Sequence, residues 1–304
     1  MWERALLLLE LDMHVSSTSV RVAGLTDVGL EREKNDDSFI VADLNPDAPP
    51  SSVRLECRSE GVLVAVADGM GGHAHGDVAS TIAILELTNA MKRLGGHGPD
   101  RVRRAVEHAH RSVREAAAGR TGFARMGTTL TAIHIDGKHA HIGHVGDSRA
   151  YVLRGGEITR LTTDQTMTEL MVEAGLLDES EREGSPWAHQ LAQAIGQVEK
   201  RLTVATSTLD LREGDILVAC SDGLSNLVAE AEIEEAVREG GPFEESCRHL
   251  VDLANLRGGF DNSTVVIAGV RGQLPRPSPA ESVASTHHIF QAFHAPGMLR
   301  AIAG

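Results

Sequence analysis

The chain has 304 residues, 41% of them apolar and 24% charged, enough for one large globular domain or two ordinary ones. Its 29 Lys and Arg against 43 Asp and Glu leave a formal charge of −14, which argues against nucleic-acid backbone binding, a task that calls for a basic face. No apolar run approaches the ~20 residues of a membrane span, and three cysteines without a Cys-x-x-Cys pair exclude a disulfide scaffold and a cysteine zinc site and suit a reducing, cytoplasmic setting.

Residues 1–17 read as a leader, disordered or a short helix: the apolar stretch Ala5 to Leu9 is too short for a signal peptide, and Glu10 and Asp12 interrupt it. One domain is expected over residues 18–271. A strand from Val20 to Leu25 runs toward Asp27, and Asp36 and Asp37 precede the apolar Phe39-Ile40-Val41. Val62 to Ala67 is continuously apolar, the pattern of a strand covered on both faces, and it stops at Asp68-Gly69, the start of a glycine-rich turn reaching Gly72. Two helices follow. The first spans 77–91, with Val78, Ile82 and Leu85 apolar; the second spans 99–118, with proline in its first turn and Val102, Ala105, Val106, Ala109 and Val113 on one face.

Thr128 to Ile135, Ala140 to Val145 and Ala150 to Leu153 alternate and read as antiparallel strands, the first two joined by an Asp136-Gly137 turn. A charge-rich stretch, Asp178 to Glu183, reads as solvated surface. Ile216 to Cys220 is another buried strand, followed by Ser221-Asp222-Gly223. Phe243, Cys247, Leu250, Val251 and Ala254 mark one face of a third helix, and Asp261-Asn262 introduces a last apolar strand, Val265 to Ala268. From residue 272 onward Pro275, Pro277 and Pro279 indicate an extended C-terminal tail, disordered or carrying a short docking helix with Ile289, Phe290 and Phe293 at helical spacing. Strands outnumber helices and cluster as antiparallel neighbours, so a parallel nucleotide-binding sheet is disfavoured.

Acidic residues thus recur at the tips of core strands. Each Asp-Gly or Asp-Asn pair is an ordinary turn. Converging together, however, the carboxylates repel and call for hard cations, and an all-oxygen set selects Mg²⁺, Mn²⁺ or Ca²⁺ over zinc. Such a site suits metal-assisted phosphoester hydrolysis. The glycine-rich turn lacks the Gly-Lys-Ser/Thr ending of a nucleotide-binding loop, which disfavours a kinase or ATPase. His139 and His141 share one strand face, but with His144 they lack a fourth ligand and read as a solvated strand face.

The segment Thr26 to Ser38, the turn Asp68-Gly-Met-Gly-Gly-His73, Met126-Gly-Thr-Thr-Leu130, Gly143-His-Val-Gly-Asp-Ser-Arg-Ala150, Cys220-Ser-Asp-Gly-Leu224 and Asp261-Asn-Ser-Thr264 together resemble the motifs of the type 2C metal-dependent Ser/Thr protein phosphatases, bacterial type, in order and spacing over residues 20–270. The resemblance implies an α+β fold, a four-layer αββα sandwich of two antiparallel sheets flanked by helices. It implies a hydrolase that releases phosphate from phosphoserine and phosphothreonine by direct attack of a metal-bridging hydroxide. Two Mn²⁺ or Mg²⁺ ions are implied, with a third in bacterial members. Asp68 would bridge the two ions and the Gly69 carbonyl would help hold one; Asp222 and Asp261 would complete the first ion's shell; Asp36 and Asp37 would serve the second; Asp147 with Asp222 would hold the third. Arg32 would clamp the substrate phosphate, a role suited to a planar guanidinium, and Asn35 would order its loop.

Some residues depart from the family pattern. Asp36 stands where the family more often has Glu. Met70 replaces the His that serves many members as general acid, leaving a metal-held water or His73 to protonate the leaving group. Asp164-Gln165-Thr166 and Ser185-Pro186-Trp187-Ala188-His189 vary the motifs of a flap over about 164–190, which points to specificity, and Trp187 is expected to pack on the sheet. His75 has no assigned role. The implied partners are phosphorylated proteins, a Ser/Thr kinase and its substrates among them, with no nucleic acid or membrane, and the chain is expected to be a cytoplasmic monomer. The alternatives are a pseudophosphatase used as a binding module and a small-phosphoester hydrolase.

Overall fold

The computed structural model describes residues 18–45, 54–56, 60–70, 75–118, 126–182, 184–197, 202–238, 241–278 and 281–293. The leader, Cys57, His73 and Pro279 lie outside the described residues.

In chain order the strands are β1 (Ser19–Asp27), β2 (Ser38–Asp43), β3 (Arg54–Glu56), β4 (Val62–Ala67), β5 (Gly69–Met70), β6 (Gly127–Thr128), β7 (Leu130–Ile135), β8 (His139–Val145), β9 (Arg149–Arg154), β10 (Glu157–Arg160), β11 (Ala205–Asp210), β12 (Ile216–Cys220), β13 (Ser263–Arg271) and β14 (His287–Gln291). The helices are α1 (Gly76–Arg93), α2 (Gly98–Ala117), α3 (Met167–Glu173), the single turn α4 (Asp222–Ser225), α5 (Glu230–Arg238) and α6 (Phe243–Leu256). Two six-stranded antiparallel sheets form, ordered β10-β9-β12-β13-β1-β3 and β14-β11-β8-β7-β4-β2, beside a small β5-β6 ribbon.

The layering follows from side-chain alternation. In β4, Val62, Val64 and Val66 enter the core between the sheets, where they meet Val20, Ile133, Ile142, Val152, Leu217 and Val266. Leu63, Ala65 and Ala67 point the other way, against α1 and α2. Cys220 and Ile267 likewise face α5 and α6 across the other sheet. A strand covered on both faces must be apolar at every position, which is why the runs 62–67 and 216–220 carry no alternation. The four-layer αββα sandwich expected from the resemblance is therefore present.

Three local expectations differ. The buried face of α1 is Ala79, Ala83, Leu87 and Ala90, whereas Leu85 is exposed. Small residues let α1 pack closely against α2, so its apolar pattern is weak. His141 and His144, read as solvated, are 4% and 1% exposed, because β8 is an inner strand of its sheet. The tail contributes an edge strand, β14, which pairs with β11 through Ser207↔Ile289 and Leu209↔His287, in place of disorder or a docking helix.

Candidate active site

Strand register carries the acidic residues to one end of the sandwich. Ser38 pairs with Ala67, Cys220 with both Arg149 and Val265, and Asp27 with Ser263. The residues just beyond these pairs are Asp36, Asp37, Asp68, Asp147, Asp222 and Asp261. A cleft of 260 Å³ opens there, lined by Arg32, Asp36, Asp68, Gly69, Met70, Thr129, Asp147, His189, Leu191, Asp222, Asp261 and Asn262. Of the residues singled out from sequence for metal or phosphate, only Asp37 is not a wall of the cleft.

Asp37 lies behind that wall, 8% exposed. Its Oδ2 accepts from Ser221 Oγ at 2.7 Å and Thr264 Oγ1 at 2.6 Å. Because Thr264 spends its proton on Asp37, Thr26 Oγ1 donates to Thr264 Oγ1 at 2.7 Å, and Asn35 Nδ2 in turn donates to Thr26 at 2.9 Å. Asn35 Oδ1 also accepts from the Asp37 amide. Asn35 thus orders its loop. Despite the two hydroxyl donors, burial pushes the Asp37 carboxyl up to about 7, and the charges of Asp222 and Asp261 add to the rise.

The other carboxylates are held by backbone placement. The Asp68 amide donates to Thr129 Oγ1 at 2.9 Å, and Asp68's carbonyl accepts from the Thr129 amide at 2.9 Å. Enclosure by protein raises the Asp68 pKa well above the carboxylate range, with Asp37, Asp222 and Asp147 contributing repulsion. Asp147 and Asp222 are raised as well, burial again first, then the charge of Asp222 on Asp147 and of Asp261 on Asp222. Asn262 organises the loop from Val28 to Asp36. Its Oδ1 accepts from the Asp36 amide at 2.7 Å, while its Nδ2 donates to the Val28 and Lys34 carbonyls at 2.8 and 3.0 Å. Gly69 is required by close approach: a Cβ there would sit 2.3 Å from the Gly76 carbonyl oxygen and 2.4 Å from that of Asp36.

These features fit a hard divalent cation. The clustered side-chain donors are carboxylates, those of Asp68, Asp147 and Asp222 are pushed up by burial and mutual repulsion, and Asp36 Oδ1 is buried without a hydrogen-bond partner, 3.6 Å from Lys34 Nζ. Arg32 is exposed on the rim and donates to Asp261 Oδ2 at 2.6 Å. The guanidinium expected to clamp phosphate is therefore paired here with a carboxylate expected to hold metal.

Two functional features escaped the sequence reading. His189, at the position where the family motif has Asn, lines the cleft beside Met70. Gln165 roots the flap: its Oε1 accepts from the Gly146 amide at 3.0 Å, its Nε2 donates to the His144 carbonyl at 3.1 Å, and Gln193 Nε2 donates to its Oε1 at 2.8 Å. A flap change thus bears directly on the turn that carries Asp147. Arg149 and Arg160 both donate to Asp164 at the same root. Trp187, expected to pack on the sheet, is 47% exposed on the flap.

Carboxylates gathered at one end of a two-sheet sandwich are the arrangement a metal-dependent hydrolase needs. The sequence profile of the family described as protein phosphatase 2C matches residues 53–256, and the chain belongs to that family. It is 35% identical to the serine/threonine protein phosphatase PstP of Mycobacterium tuberculosis over 254 residues, 83% of this chain and 45% of PstP. It thus spans less than half the length of that relative. It is 31% identical to the protein phosphatase PhpP of Streptococcus pneumoniae, with 83% of this chain and 98% of PhpP covered. The solved catalytic domain of PstP in complex with 2 manganese ions superposes with a TM-score of 0.69 at 35% identity, covering 84% of this chain and 100% of that one. The S. agalactiae serine/threonine phosphatase gives 0.72 at 31% identity, covering 82% and 98%.

Proposed function

We propose that the chain is a Mn²⁺- or Mg²⁺-dependent phosphatase of phosphoserine and phosphothreonine in proteins. The observation that carries the reading is the convergence of Asp36, Asp68, Asp147, Asp222 and Asp261 on one cleft with Arg32 at its rim. Asp68, Asp222 and Asp261, with the Gly69 carbonyl, would hold one cation; Asp36 and Asp37 would serve a second, and Asp147 with Asp222 a third. Bound there, the cations supply Lewis acidity and a lowered pKa for water.

The chain's own residues do the rest. Arg32 is held in a 2.6 Å ion pair with Asp261, so a cation held by Asp261 would free its guanidinium for the substrate phosphate, and metal loading and phosphate capture would be linked. Met70 cannot donate a proton. His189 is the imidazole among the described cleft residues and would protonate the leaving serine or threonine oxygen. Asn262 and the Thr129–Ser148 hydroxyl pair, 2.7 Å apart, hold the loop amides that aim Asp36 and Asp68. Phosphorylated proteins, including a cytoplasmic Ser/Thr kinase and its targets, are the partners this chemistry serves.

The test is phosphate release from a phosphothreonine peptide with Mn²⁺. Turnover abolished by chelator, and faster than on small phosphoesters, is expected. Preference for a small phosphoester would make the chain a small-molecule hydrolase, and no turnover on either would make it a docking module.

A further inference from the structure

The β7–β8 hairpin turn lies at the end of the sheet remote from the cleft. β8 is seven residues long, so its two ends are about 20 Å apart. Asp136 and His139 close that turn, the Asp136 amide donating to the His139 carbonyl at 3.1 Å. His141, two residues on, shares a face with His139, and the two rings stack at 5.8 Å. We propose that Asp136, His139 and His141 form a second cation site, selective for Zn²⁺-type ions and distinct from the carboxylate cleft.

One donor atom from each of these three residues lies within 4.8 Å of the others. Asp136 Oδ2 is 2.9 Å from His141 Nε2, and Asp136 Oδ1 is 3.5 Å from His139 Nδ1. A tetrahedral ion with ligand bonds of about 2.0–2.1 Å needs donors about 3.3 Å apart, so small side-chain rotations complete the shell, with water as the fourth ligand. Asp136 Oδ1 is buried and makes no hydrogen bond of its own.

The ring atoms facing away from the three donors have oxygen neighbours on the side where the ring proton would sit once a metal took the place of the hydrogen bonds to Asp136. His141 Nδ1 is 2.8 Å from Thr208 Oγ1, leaving Nε2 as the ligand atom. His139 Nε2 lies 3.8 Å from Asp210 Oδ1, beyond direct hydrogen-bond length, on the ring edge away from Nδ1, the atom that would coordinate. Two imidazoles with one carboxylate favour Zn²⁺ or Co²⁺ over Mg²⁺ and Mn²⁺, so the site would stay empty of the cations that fill the cleft. Without a cation the same residues make a hydrogen-bonded hairpin turn, the reading the experiment sets against the site.

Full-length protein held in excess Mg²⁺ is titrated with Co²⁺, followed by its visible absorption, and with Zn²⁺ against a chromophoric chelator. The expected result is one equivalent with a tetrahedral cobalt spectrum in the wild type, weakened at least tenfold in His139→Ala and Asp136→Asn. His139 is an exposed residue, so His139→Ala should keep its circular dichroism and its Mg²⁺-supported phosphatase rate. Equal cobalt spectra and equal affinities in wild type and His139→Ala overturn the site, as does the absence of a tetrahedral spectrum in the wild type. The readout is metal binding, so failure here leaves the phosphatase reading untouched, and a chain inactive on phosphopeptides can still pass.

Discussion

The two ends of the β7–β8 hairpin carry opposite electrostatic logic. At the cleft end, Asp68, Asp147 and Asp222 crowd together and their pKa values rise, because little cationic charge stands among them and burial penalises every ionised oxygen. At the turn end, burial would raise the Asp136 carboxyl, but the imidazoles of His139 and His141 beside it outweigh that and hold it below the usual carboxylate range. Both clusters sit at strand tips, so the difference lies in which partners each tip receives. A cluster in carboxylate excess demands a hard cation; a charge-balanced one with imidazoles only admits a softer one.

The sharpest way to break this comparison is Asp222→Asn. It should remove cation binding at the cleft and slow phosphopeptide hydrolysis by at least about 10³-fold, on the order of 4 kcal/mol. Calorimetric titration with Mn²⁺ alongside kinetics checks it; unchanged metal stoichiometry at full activity would contradict the assignment. Next in size is His189→Ala. As general acid, His189 should matter only when the leaving group needs a proton, so phosphoserine turnover should fall about 10²-fold while an aryl phosphate with an acidic leaving group is nearly unaffected. Equal losses on both substrates would make His189 a positioning residue.

Arg32→Ala should act mainly through binding, raising KM about tenfold with kcat little changed, because it removes a phosphate contact made before the transition state. Steady-state kinetics on a phosphothreonine peptide decide, and a pure kcat loss would place Arg32 in the transition state instead. The smallest effect concerns pH. Asp37 has a folded-state pKa raised to about 7, so the metal-free protein gains stability from its proton at low pH and loses it as pH rises through about 7. A cation held by Asp37 would displace that proton. Apparent Mn²⁺ affinity should therefore be about tenfold weaker at pH 6 than at pH 8, and Asp37→Asn should flatten the dependence.

Much of the cleft was legible in the sequence because strand tips announce themselves. Val62–Ala67 ends where Asp68 begins, and Ile216–Cys220 ends one residue before Asp222. What those runs could not show is depth. That Asp37 sits behind the wall under Ser221 and Thr264, while its neighbour Asp36 faces the cleft, depends on which side of β2 meets β12 and β13. His189 was illegible because the flap bends back over the site by tertiary contacts rooted in Gln165, and no local pattern encodes that return. The same blindness made His141 and His144 look solvated. A polar residue on an inner strand reads as surface until its partners, Thr208 and Thr131, are in place. The edge strand β14 was missed because Ile289 and Phe290 stay exposed, so burial never imposed a clear alternation on it.

Crystals grown in Mn²⁺ and measured at the manganese absorption edge test the central claim most directly. The account predicts at least two anomalous peaks inside the cleft, bounded by Asp36, Asp68, Asp222 and Asp261, with Arg32 swung away from Asp261 and no peak at the Asp136 turn. A cleft without anomalous density, or manganese bound at the hairpin alone, would contradict it.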